Sequence, residues 1–67
     1  MTRKEVLSRI YGMANKLMKE FNRDVYNEMW DICYDWNREH EDEEIFMAED
    51  EDEGRFYVED DWFSYPE

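Results

Sequence analysis

The stretch Asp24-Val25-Tyr26-Asn27-Glu28-Met29-Trp30-Asp31-Ile32-Cys33-Tyr34-Asp35-Trp36-Asn37-Arg38-Glu39 decides how the rest of the chain is read. Val25, Met29, Ile32 and Trp36 recur at helical spacing, with Tyr26, Trp30 and Cys33 beside them. That is one apolar helix face. Asp24, Glu28, Asp31, Asp35 and Glu39 follow one another at steps of four, three, four and four, which puts five carboxylates in a second row on the same helix. The first four each precede a stripe residue by one position, so the row lies about 100° around the axis from the core, with neighbours about 4.5–6 Å apart along it.

Upstream, Thr2-Arg3-Lys4-Glu5 reads as a capping box. Val6, Leu7, Ile10, Ala14, Leu17, Met18 and Phe21 then continue with helical periodicity. The pattern predicts two helices, over about 3–21 and 24–39, with Asn22 or Asp24 as the second N-cap. No Gly or Pro separates them, and the stripe can be followed through 14, 17, 21, 25, 29, 32 and 36. One continuous helix is the alternative. Such a helix would bury its apolar face only by dimerising or by packing on the C-terminal segment.

Downstream the period changes. Ile45-Phe46-Met47-Ala48 and Arg55-Phe56-Tyr57-Val58 are short β-prone runs around Glu49-Asp50-Glu51-Asp52-Glu53-Gly54. They predict a β-hairpin over about 44–48 and 55–59. Residues 60–67 read as an acidic-aromatic tail ending in Pro66-Glu67, either flexible or with Trp62 or Phe63 folded back onto the helices. The expected architecture is α+β in a single small acidic domain spanning 1–67.

The net charge of −12 is unevenly placed. Residues 1–40 hold seven basic and seven acidic side chains, whereas residues 41–67 hold thirteen acidic groups and only Arg55 in opposition. High negative charge alone suggests disorder, but four Phe, three Trp and five Tyr supply a core.

Catalytic and metal chemistry find little to work with. Cys33 is the only cysteine and His40 the only histidine. A lone Cys forms no internal disulfide and reads as a small buried side chain in a reducing compartment. His40 reads as a helix C-cap. No phosphate loop, zinc-protease or dinucleotide motif is present. Glu49, Glu51, Glu53, Gly54 and Asp60 partly resemble an EF-hand loop, but Glu stands where short Asp or Asn is wanted and Asp where a bidentate Glu is wanted. The expectation is a non-enzyme with no cofactor and no metal. No apolar run approaches the roughly 20 residues of a membrane helix, so a cytoplasmic protein is expected.

The acidic surface is the functional feature. Asp24, Glu28, Asp31, Asp35 and Glu39 supply order; Glu49, Asp50, Glu51, Asp52, Glu53, Asp60 and Asp61 supply density. Such a surface repels nucleic acid and attracts basic grooves. Charge alone is promiscuous, so Trp62, Phe63 and Tyr65 are the expected apolar anchors, with Trp30 and Trp36 assigned to the core. In size, charge and carboxylate arrangement the chain resembles the small acidic inhibitors encoded by bacteriophages: anti-restriction DNA mimics, anti-CRISPR proteins and inhibitors of host nucleic-acid enzymes. That resemblance implies a stoichiometric inhibitor in the host cytoplasm, a monomer or homodimer whose carboxylates stand in for phosphates in a partner's basic channel. The alternatives are an adaptor or transcription-regulator binder acting through residues 60–67, or an antitoxin-type neutraliser of a basic protein.

Overall fold

Helix α1 spans Arg3–Lys19 and starts where its first amides find partners. Thr2 Oγ1 accepts from the Glu5 amide at 3.2 Å, and Glu5 Oε1 accepts from the Thr2 amide at 3.1 Å. The Thr2 amide first, and then the Thr2 hydroxyl donating to the same oxygen at 3.1 Å, hold the Glu5 carboxyl below its usual value. Lys16 and Lys19 in the last turn complement the negative end of the helix. Helix α2 spans Arg23–Glu39. The continuous-helix alternative is excluded by the backbone at both caps, since Glu20 and Asn22 are extended. Asn22 Oδ1 accepts from the Asp24 and Val25 amides at 2.9 and 3.3 Å, replacing the helical bonds that the break removes. Phe21 therefore lies between the helices, exposed, and does not extend the α1 stripe.

The computed structural model describes residues 1–66. After a short 3-10 turn at Glu41–Glu43 come three strands: β1 (Met47–Asp50), β2 (Arg55–Val58) and β3 (Asp61–Ser64). They form an antiparallel meander in the order β1-β2-β3. Met47 pairs with Val58, Phe56 with Phe63, and Tyr57 with Trp62. The sheet differs from the expected hairpin and tail in two respects. The segment 60–67 supplies a third strand, with Glu67 outside the described residues. And β1 begins at Met47 instead of near 44, because Ile45 is already engaged. Its amide donates to Asn37 Oδ1 at 2.7 Å, and its carbonyl accepts from Asn37 Nδ2 at 2.9 Å. A side chain of α2 thus takes both backbone bonds that a longer strand would have used.

Strand alternation divides the sheet. Phe56, Val58 and Phe63 face the helices and are buried; Arg55, Tyr57 and Trp62 face the other way. Val6, Ile10, Ala14 and Leu17 from α1 join Met29, Cys33 and Trp36 from α2, and Ile45 closes the core. Burying a side chain such as Phe56 contributes about 1.5–3 kcal/mol, a large share of the stability available to so short a chain. Trp36 belongs to the core as expected, and Trp30 packs at its edge.

Candidate protein-interaction site

The α2 row exists as an exposed feature. Asp24, Glu28, Asp31, Asp35 and Glu39 all point to solvent while Met29, Cys33 and Trp36 are buried. The same periodicity that buries one face presents the other. Among the described residues the only ion pair in the row is Asp35 with Arg38, at 3.1 Å and well exposed. Pairs of that kind hold little energy, so the row keeps its field.

The row borders the groove between the two helices. Ile32, Asp35, Trp36, Glu39 and His40 line one end of it opposite Met1, Val6 and Arg9. At the other end Lys16, Lys19 and Glu20 stand near Val25. Arg9, Lys16 and Lys19 of α1 therefore flank the row without entering ion pairs with it, among the described residues. His40 caps α2: its amide donates to the Trp36 carbonyl at 2.9 Å and its ring stacks on Trp36 at 3.6 Å.

The denser acidic residues divide by role. Glu51, Asp52 and Glu53 are exposed in the β1–β2 turn. Gly54 closes that turn at φ +68°, a conformation that L side chains adopt only with strain. Asp50 Oδ1 accepts from the Glu53 amide at 3.3 Å, and Glu53 lies 3.7 Å from Arg55. Two predicted contact residues are instead occupied within the fold. Glu49 accepts the hydroxyl of Tyr26 from α2, and Asp61 accepts that of Tyr11 from α1 at 2.9 Å. Asp60 is exposed.

The three expected anchors separate. Trp62 is 56% exposed and remains available. Phe63 is only 7% exposed and stacks on Phe56 at a ring distance of 5.3 Å, so it is core and not an anchor. Tyr65 is half-buried among Phe21, Tyr26 and Phe56, with its hydroxyl donating to that of Tyr26 at 3.2 Å. Alternation along β3 is the physical reason: the pleat turns Phe63 inward and Trp62 outward. The structure thus brings the five α2 carboxylates into one row, and leaves the turn acids and Trp62 on other surfaces.

Burial pushes the Tyr26, Tyr11 and Tyr65 phenols above their ordinary values, aided at Tyr26 by Glu49 and at Tyr11 by Asp61. The same cause raises the Cys33 thiol, which is buried and points to the Ile45 carbonyl at 3.5 Å. Among the described residues no three His, Cys, Asp or Glu side chains come together in a way that could hold a metal ion. No helix among them is long and apolar enough to cross a membrane.

The Tyr11–Asp61 and Tyr26–Glu49 contacts were not foreseen from the sequence. Their signal was present: Tyr11 sits one residue after Ile10, and Tyr26 one after Val25, so each hydroxyl can reach past the core edge. Comparison with protein-family models, curated proteins and solved structures returns no significant match.

Proposed function

We propose that the protein is a stoichiometric inhibitor that presents carboxylates in place of phosphates to the basic groove of a nucleic-acid enzyme or host defence protein. It acts by occupying that groove and carries out no reaction of its own. The observation that carries this reading is the exposed row Asp24, Glu28, Asp31, Asp35 and Glu39, held on one helix with Asp35–Arg38 its only ion pair among the described residues. Regular charge on a fixed scaffold gives a partner something to match, whereas the turn acids add field and speed association. The net charge of −12 disfavours direct binding to nucleic acid and favours a basic protein partner. On this reading, which the likeness in size and charge to phage inhibitors supports, it acts in the host cytoplasm as a monomer or homodimer.

The adaptor reading needs a free acidic-aromatic peptide at residues 60–67. Incorporation of Asp61–Ser64 into the sheet, with Phe63 in the core, weighs against it.

The test uses the intact protein and a variant carrying Asp24→Asn, Glu28→Gln, Asp31→Asn and Asp35→Asn, each immobilised and exposed to a bacterial lysate. A nucleic-acid-binding protein should be retained by the wild type, leave in a salt gradient, and pass the variant unretained. Equal retention by both would show that the row is not the site.

A further inference from the structure

We propose that the uncovered face of the sheet, centred on Trp62, is a second contact with the basic partner inferred above, on whose existence this step rests. Its occupant is a protein surface whose apolar side chains are bordered by lysine or arginine.

Helices α1 and α2 both lie on the Phe56 side of the sheet, as the ring contacts of Tyr11 with Phe63 and Tyr26 with Phe56 show. The opposite face carries Trp62, Tyr57 and Arg55. Trp62 sits directly across from Tyr57 in the register. The Arg55 guanidinium lies 5.1 Å from the Trp62 ring centre and 5.9 Å from that of Tyr57. Cation–π contact of this kind holds an exposed ring in place. Trp, Tyr and Arg are the side chains that dominate binding energy at protein interfaces. An anchor already ordered loses less freedom on binding. Phe46, one residue before β1 and 57% exposed, adds a further ring at the end of the sheet.

The surroundings select the occupant. Asp50 is the register partner of Arg55, Glu53 is its ion-pair partner, and Asp60 stands in the β2–β3 turn. Rings gathered around one ion-paired arginine, with an acidic border, are complemented by apolar side chains with a basic border. A second copy brings the same acidic border and another −12 of net charge, so it is opposed. This face and the two helices lie on opposite sides of the buried Phe56 layer. The short dimensions are 19 and 16 Å, so a channel that closes around the protein touches both sides.

Two synthetic probes test the assignment: a peptide alternating leucine and arginine, and an oligo-lysine of equal net charge. Binding is followed by titration and by the indole N–H resonances of the three tryptophans. The leucine–arginine peptide should shift the Trp62 resonance and leave those of Trp30 and Trp36 in place. Trp62→Ala should weaken that peptide about tenfold, as loss of an interface anchor does, and leave oligo-lysine binding unchanged. Wild-type affinity of Trp62→Ala for the leucine–arginine peptide, or an unmoved Trp62 resonance at saturation, overturns the proposal. No nucleic-acid enzyme enters either readout, so the result stands apart from that of the lysate retention test.

Discussion

Tyr11 on α1 donates its hydroxyl to Asp61 Oδ2 on β3 at 2.9 Å, so a carboxylate expected to face a partner fastens the last strand to the first helix. Tyr11→Phe should cost about 1 kcal/mol in urea unfolding. Tyr34→Phe is the control, because Tyr34 is 63% exposed, and should change stability by less than about 0.5 kcal/mol.

The same hydroxyls give the protein an alkaline limit. Tyr11, Tyr26 and Tyr65 are all raised above 10.0 in the folded state. A raised value means that the folded protein holds its proton more tightly than the unfolded chain. That stability is fully present below the unfolded value and is lost as pH rises through the folded ones. Unfolding free energy should therefore fall with pH above about 10. Tyr26→Phe should make the fall shallower. A parallel fall in that variant would remove Tyr26 as a cause.

Adjacent residues of β3 should respond unequally to truncation. Phe63→Ala empties a core position and should cost about 3–5 kcal/mol, enough to unfold much of so small a protein. Trp62→Ala removes only the contact with Arg55 and the cross-strand contact with Tyr57 and should cost about 1 kcal/mol. Thermal melts followed by circular dichroism decide it.

Asn37 makes both backbone bonds of Ile45, which is itself buried. Asn37→Ala leaves the Ile45 amide without a partner and its carbonyl with only the weak Cys33 thiol donor, and should cost about 1–3 kcal/mol. Hydrogen exchange should accelerate first at Ile45 and the start of β1.

How much of this was legible in the sequence varies by element. The helices were, through the 3.6-residue period and the Thr2 box, but the break between them was not, since the stripe runs on through Phe21 and both Asn22 and Asp24 are candidate caps. The exposure of the α2 row was legible too, since burying Met29 and Trp36 fixes where Glu28 and Asp35 point. Strand β3 was hidden by its turn. Glu59 takes φ +55° there, a position where Gly or Asn is the usual signal. Nothing in Glu59-Asp60 announces a hairpin, and acidic density masked the alternation of Asp61, Phe63 and Tyr65 against Trp62 and Ser64. The start of β1 was also out of reach, because the competitor for the Ile45 backbone is a side chain on another element.

The α2 carboxylates are proposed to occupy a nucleic-acid groove. The most direct measurement is displacement of a labelled duplex from the isolated partner by the protein. The wild type should release the duplex at one equivalent, less effectively as salt rises. The variant neutralised at Asp24, Glu28, Asp31 and Asp35, folded to the same extent, should leave the duplex bound. Release of the duplex by that variant at one equivalent, or binding of the wild type to the partner with the duplex still in place, would contradict the account.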